Sequence, residues 1–79
     1  MLSFAPVNFR DEKVLAQFGK HLKKLRNQKR ITQEDLAYSS NITLSQIARI
    51  EIGKINPTLC TLVVIAKTLN LKLTDLIDF

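Results

Sequence analysis

Two helix starts lie only eleven residues apart near the middle of this 79-residue chain. At Thr32 and again at Thr43, a residue suited to capping a helix precedes a capping-box partner by three positions. The two partners are Asp35 and Gln46. Each start also has an apolar pair that can form a hydrophobic staple: Ile31 with Leu36, and Ile42 with Ile47. The chain must therefore end one short helix and begin another within a few residues.

This spacing determines what the middle of the chain can form. The first helix is predicted over about residues 32–40 and the second over about 43–52, because Gly53 suits the position just after a helix. Asn41 tolerates the left-handed backbone conformation that a tight turn between them requires. A short helix, a tight turn and a second helix predict a helix-turn-helix at about residues 32–52.

Helical periodicity continues on both sides of this motif. Apolar residues at helical spacing predict a first helix from an N-cap at Asp11 to about Gln28: Val14, Leu15, Phe18, Leu22 and Leu25. A fourth helix is predicted from a cap at Thr58 to Asn70, followed by a short apolar element. The sequence therefore predicts one compact all-α domain over residues 11–79, preceded by an arm at residues 1–10.

The formal net charge of +5 is unevenly distributed along the chain. Between Lys13 and Lys54 there are nine basic residues against three acidic ones, whereas residues 55–79 have two of each sign. Such a distribution suits a polyanionic partner. It is equally compatible with a solvated basic face, so charge alone leaves both interpretations open.

Several functional classes are disfavoured by the residues that the sequence contains. With one cysteine and one histidine, an internal disulfide and a Cys/His zinc site are excluded, and we expect no metal or cofactor. No apolar run approaches the ~20 residues that span a membrane, and no secretory signal is recognisable, so a cytoplasmic location is expected. Neither a Ser/His/Asp set nor a Gly-rich phosphate loop indicates an enzyme. We expect Cys60 to be a small buried residue and His21 to lie on the surface.

The second helix of the motif presents an unusual outward face. Its inward side carries Ile47 and Ile50. The outward residues are mostly short or apolar: Leu44, Ser45, Ala48, Arg49 and Ile52. A solvated helix usually carries more Glu and Lys on its outer side. The composition therefore favours a face that fits closely against another molecule.

Three segments together resemble the lambda-repressor-like (Cro/C1, XRE) helix-turn-helix family: TQEDLA at 32–37, IARIEIGK at 47–54 and NPTL at 56–59. The resemblance extends over about residues 18–77. It implies a five-helix all-α domain that binds double-stranded DNA as a symmetric homodimer on a palindromic operator. The recognition helix, at about 43–52, would lie in the major groove. Within the family, the short form is similar to restriction–modification controller proteins and small phage repressors.

The resemblance also implies roles for individual positions. The base-reading positions are Leu44, Ser45 and Arg49, with Ala48 beside them. The phosphate-contacting positions are Gln33, Tyr38, Thr43, Gln46, Lys54 and Asn56. Arg26 and Glu51 match a structural ion pair that joins the first helix to the recognition helix. The apolar residues of the last element belong to the core or to the dimer interface, with the interface favoured for part of the set: Leu73, Leu76, Ile77 and Phe79.

Two positions depart from the family pattern. Leu44 stands where many members have Gln or Arg, and a leucine can read only a thymine methyl group or local DNA shape. Lys72 stands where a Ser or Asp usually caps the last helix, so an irregular start of that helix is expected.

The leading hypothesis is a sequence-specific transcriptional regulator. The alternative is a protein-binding module, such as the antitoxin of a toxin–antitoxin pair, for which DNA binding is secondary. In that case the toxin-facing segment would be the arm, through its large apolar residues: Leu2, Phe4, Val7 and Phe9.

Overall fold

The computed structural model describes residues 10–79, which form five α-helices and no strand. The helices are α1 (Glu12–Gln28), α2 (Gln33–Ser40), α3 (Leu44–Glu51), α4 (Leu59–Thr68) and α5 (Leu73–Leu76). The all-α class and the helix-turn-helix at 32–52 are thus confirmed. Of the predicted arm, only Arg10 is among the described residues. The side chains assigned to a toxin-facing segment lie outside them: Leu2, Phe4, Val7 and Phe9.

Side-chain caps begin the first four helices. The capping residues are those expected from the sequence: Asp11 for α1, Thr32 for α2, Thr43 for α3 and Thr58 for α4. At Thr32 and Thr43 the full capping box is present. Each cap binds a backbone group no more than three residues away, so these helix starts are local properties of the sequence.

The same four helices also end in a common way. One or two residues past each end, the backbone takes a positive φ: Arg30 (58°), Asn41 (58°), Gly53 (77°) and Asn70 (57°). After α2, the N–H of Ile42 donates to the carbonyl of Ala37 at 3.1 Å, and the N–H of Asn41 donates to that of Tyr38 at 3.4 Å. This Schellman motif satisfies the last carbonyls of α2 and turns the chain directly into α3.

The last helix, α5, is a single turn of four residues. As expected, its start is irregular: Lys72 provides no side-chain cap, because its ammonium group can only donate. The Asp75 carboxylate instead accepts a hydrogen bond from the Lys72 N–H at 3.1 Å. His21 of α1 donates from Nε2 to the Asp75 carbonyl at 2.9 Å. His21 is therefore half-buried between α1 and α5, which corrects its assignment as a plain surface residue.

The hydrophobic core takes side chains from all five helices. Its fully buried members are Leu22, Leu36, Ile47, Ile50, Ile65, Leu69 and Leu76. Burial of one such side chain contributes about 1.5–3 kcal/mol relative to exposure. Because these residues come from every helix, the core fixes the position of each helix relative to the others.

The structure divides the set expected at the core or the dimer interface, and Leu76 belongs to the core. Its side chain is 0% exposed within the single chain, so it has no surface to offer to a second copy. Leu73 is half-buried against the core. Ile77 and Phe79 remain 47% and 51% exposed. A partner could therefore contact Ile77 and Phe79 but not Leu76.

Cys60 is exposed, contrary to the prediction. α4 buries the side that carries Ile65 and Ala66. Cys60 lies roughly opposite Ile65, because five residues at about 100° each turn through about 500°. Because α4 has apolar residues on all sides of its axis, its sequence does not show which side is buried.

The crossing of α1 and α3 depends on Gly19. A Cβ atom at this position would lie 2.4 Å from the carbonyl oxygen of Glu51 and 2.6 Å from that of Ile50. Only glycine allows the two backbones to approach so closely. The contact holds the C-terminal end of α3 against α1.

Replacing Gly19 with alanine should destabilise the fold. Alanine favours a helix over glycine by about 1 kcal/mol, but here its methyl group would displace backbone atoms of α3. We expect a net loss of about 1–3 kcal/mol in the free energy of unfolding, as for an overpacked core. Urea denaturation followed by circular dichroism measures this loss.

The matched control is Lys20→Ala at the adjacent, exposed position of α1. It should change the free energy of unfolding by no more than about 0.5 kcal/mol. A Gly19→Ala variant as stable as the original chain would show that α1 and α3 do not depend on this close approach.

Candidate nucleic-acid interface

The exposed side of α3 consists of two parallel rows of side chains. Ile47 and Ile50 are buried. At intervals of four residues, an apolar row is formed by Leu44, Ala48 and Ile52, and a polar row by Ser45 and Arg49. Leu44 is 44% exposed and Ile52 66% exposed. Ala48 is short and half-buried, so a second molecule can approach the middle of the helix closely.

The start of α3 is fixed by its capping box. The side-chain oxygen of Gln46, Oε1, accepts hydrogen bonds from the Thr43 N–H at 3.2 Å and from the Thr43 hydroxyl at 3.1 Å. The same hydroxyl accepts the Gln46 N–H at 3.1 Å. The Thr43 hydroxyl therefore uses its hydrogen within the capping box and has no donor for an anion. The donors that remain for an anion at this end are the amide group of Gln46 and the first backbone N–H groups of the helix.

A buried ion pair joins α1 to the other end of α3. Arg26 donates from Nε to Glu51 Oε2 at 2.6 Å and from Nη2 to Glu51 Oε1 at 2.9 Å. Arg26 is 7% exposed and Glu51 is 6% exposed. The expected ion pair is thus present, and it is bidentate, the strong geometry for this pair of groups.

Two further hydrogen bonds extend this ion pair to α2. Arg26 Nη1 donates to the carbonyl of Ile31 at 2.9 Å, and Gln33 Nε2 donates to Glu51 Oε1 at 2.9 Å. The hydrogen bond with Glu51 raises the pKa of the Arg26 guanidinium, so this group stays charged at neutral pH. Together these contacts hold the first three helices in one arrangement.

Removing one partner of this buried pair should be costly. Arg26→Met leaves the Glu51 carboxylate buried without its main partner, and we expect a loss of about 3–5 kcal/mol in the free energy of unfolding. Urea denaturation measures it. The double variant Arg26→Met/Glu51→Leu buries no charge and should recover most of the loss. Equal stability of the single and double variants would contradict this account.

The polar residues expected to contact phosphates lie at the two ends of α3. Tyr38 and Thr43 line one shallow concavity at its N-terminal end, where Gln46 also lies. The Tyr38 side chain is 91% exposed. At the other end, Gln33 reaches Glu51, and Lys54 follows directly in the chain.

The length of α3 suits the distance between two DNA strands. Eight residues at about 1.5 Å each give roughly 12 Å. The major groove of B-DNA is also about 12 Å wide. α3 is thus about as long as the major groove is wide.

The charges around α3 favour an anionic partner. On α3 and the turn after it, the charged side chains are Arg49, Glu51 and Lys54. Glu51 is buried and neutralised by Arg26. The exposed charges of this segment are therefore both positive.

Sequence reasoning missed two contributions to the site. Arg10 donates from Nη2 to the carbonyl of Lys54 at 3.2 Å, beside the turn after α3, while its Nε is paired with the Glu12 carboxylate at 3.0 Å. The Gln33 amide binds Glu51, whereas Gln33 was expected only at a phosphate. Neither contact has a local signal, because the partners are 44 and 18 residues apart in sequence. Asn56 is exposed two residues after Lys54 and lines a concavity together with Val14 of α1 and Phe79.

Other kinds of site find little support in residues 10–79. No group of His, Cys, Asp and Glu side chains there is arranged to hold a metal ion. None of the helices in that range is both long and apolar enough to cross a bilayer.

Comparison with known protein families identifies the fold. The helix-turn-helix family model HTH_3 matches residues 22–76, which is more than half of the chain. This chain belongs to that family. The matched range contains α2, α3, α4 and α5 entirely, together with the ion pair between Arg26 and Glu51.

Two solved structures of family members are similar over most of their length. The restriction–modification controller protein C.AhdI from Aeromonas hydrophila is 32% identical, with a TM-score of 0.77 over 78% of this chain and 94% of that chain. The restriction–modification controller protein C.Esp1396I is 37% identical, with a TM-score of 0.73 over 78% and 82% of the two chains.

A curated relative is the immunity repressor protein of Bacillus phage phi105. It is 32% identical over 59 residues, which are 75% of this chain and 41% of the repressor. The match therefore spans less than half of that relative. The helix-turn-helix assignment and these regulatory relatives support a DNA-binding transcription regulator.

Proposed function

We propose that this helix-turn-helix protein is a sequence-specific regulator that binds a palindromic operator as a homodimer, with residues 43–52 in the major groove. The observation that supports this best is the construction of α3. Its inner side is fixed by the core and by the ion pair of Glu51 with Arg26. On its outer side, Leu44, Ser45 and Arg49 are exposed and are free to contact another molecule.

In this proposal the side chains on the face of α3 read base edges. The Arg49 guanidinium can donate two hydrogen bonds to O6 and N7 of a guanine, the commonest specific contact in the major groove. Ser45 lies one helical turn away in the same row and can bind a neighbouring base edge. Because the Ala48 side chain is short, α3 can approach the base edges closely enough for Ser45 and Arg49 to reach them.

Phosphate contacts would position the protein on the duplex. At the N-terminal end of α3 they come from Tyr38, Gln46 and backbone N–H groups near Thr43. At the C-terminal end they come from Gln33, Lys54 and Asn56. These contacts carry no sequence information, but they supply much of the affinity and make it depend on salt.

The homodimer would form through the end of the chain. Ile77 and Phe79 are large apolar residues that remain about half exposed. The Phe79 ring lies 5.7 Å from the ring of Phe18, so part of this surface is held against α1. Covering it with a second copy would place two α3 helices on one face of the duplex.

Selection of bound duplexes from a randomised library tests the whole proposal. A palindromic consensus with half-sites about one helical turn apart, bound with a steep salt dependence, is the expected result. Binding without any consensus would reject a sequence-specific regulator and favour the protein-binding alternative, which a pull-down would then examine.

Arg49→Ala should relax the sequence preference. Loss of a bidentate base contact should weaken binding to the selected operator by roughly 1–3 kcal/mol and leave binding to scrambled duplex almost unchanged. Competition titrations with operator and scrambled duplexes measure the ratio. An unchanged ratio would show that Arg49 does not read a base.

Two lysines provide contrasting controls for this experiment. Lys54→Gln should weaken binding to all duplexes alike and lower the slope of log affinity against log salt by about 1. Lys67→Gln, on the exposed side of α4, should change neither the preference nor the slope.

Ile77→Glu should weaken dimerisation. An ionised carboxylate in an apolar interface must lose its hydration, so we expect at least ~10-fold weaker self-association. Sedimentation equilibrium measures the dissociation constant. Gln17→Glu, which adds the same charge to an exposed position of α1, is the control and should self-associate normally. Unchanged association of Ile77→Glu would place the dimer interface elsewhere.

A further inference from the structure

We infer that this protein recognises a methyl group in its operator: Leu44 contacts the C5-methyl of a thymine in each half-site. This inference rests on the proposed function, because it requires α3 to lie in the major groove. It adds a specificity-determining residue and the base that this residue selects.

The position of Leu44 indicates that this side chain serves binding rather than the stability of the fold. It is the first residue of α3, and its side chain is 44% exposed. The apolar contacts at this helix start are supplied by its neighbours: Ile47 is completely buried, and Ile42 packs against the core. The capping box closes the helix start without Leu44.

The chemistry of leucine leaves few features of DNA for it to recognise. Donors and acceptors on base edges lose hydrogen bonds to water when an alkyl group covers them, and this loss is unfavourable. The one apolar group on the major-groove edges of the four bases is the C5-methyl of thymine. A leucine that enters the groove therefore selects thymine and disfavours bases that present only polar atoms.

The two rows on α3 divide the readout between them. Leu44 belongs to the apolar row, whereas Ser45 and Arg49 belong to the polar row. Ile52 shares the apolar row with Leu44 but lies about 12 Å further along the helix axis. Successive base pairs are about 3.4 Å apart, so Ile52 cannot cover the same methyl group. A half-site should accordingly contain a thymine selected by Leu44 and, separately, a guanine selected by Arg49.

The test removes single methyl groups from the selected operator. Each thymine is replaced in turn by deoxyuridine, which lacks only the C5-methyl, and the dissociation constant is measured for each duplex. Burial of a methyl group contributes about 0.8 kcal/mol, so one thymine in each half-site should show about a fourfold loss of affinity. With Leu44→Ala, the thymine and uracil duplexes should bind equally.

Two variants serve as controls for loss of an exposed apolar side chain. Leu59→Ala removes the same side chain from the first position of α4, where it is 66% exposed, and Ile52→Ala removes the other large member of the apolar row. Both should retain the fourfold difference between thymine and uracil. Circular dichroism confirms that each variant is folded.

The outcomes separate this inference from the function on which it rests. If uracil is tolerated at every position of a clear consensus, or if Leu44→Ala keeps the difference, Leu44 does not read a methyl group and only the inference is overturned. If the original chain selects no consensus, the proposed function fails and the inference fails with it.

Discussion

The carboxylate of Glu51 is the point at which the first three helices meet. It accepts two hydrogen bonds from Arg26 of α1 and one from Gln33 of α2, while its own backbone carbonyl faces Gly19 at the crossing of α1 and α3. A buried charge is costly unless it is fully paired. The pair therefore tolerates little displacement of any of these helices. The orientation of α3 depends on this arrangement, and so does every contact that its outer side can make.

A small domain must obtain its order from many local contributions. Side chains cap the starts of four helices, and positive-φ residues close their ends. Each such cap is worth on the order of 1 kcal/mol. The core adds its contribution only when all five helices are in place, because its buried residues come from every one of them. Short helices such as α2 and α3 are marginal alone and are stable here through this packing.

The features that the sequence predicts well are those decided within a few residues. The caps at Thr32 and Thr43 and the turn at Asn41 follow from neighbouring side chains, and the structure contains all three. Cys60 was expected to be buried, and Leu76 was left between core and interface, because a short or uniformly apolar helix does not show in its sequence which side is buried. The Arg26–Glu51 pair was expected only through the family resemblance. The contacts of Gly19 and Arg10 had no local signal, since their partners are more than 30 residues away.

The exposed row of Ser45 and Arg49, and the half-exposed Leu44 beside it, have a consequence for evolution. These side chains contribute little to folding, whereas Ile47 and Ile50, on the inner side of the helix, are fully buried. Substitutions on the outer side of α3 can therefore accumulate without loss of the fold. Under the proposed function, a lineage that keeps the Arg26–Glu51 pair and the core can acquire a new target through substitutions on this side alone, and two such proteins in one cell can diverge until neither binds the other's site.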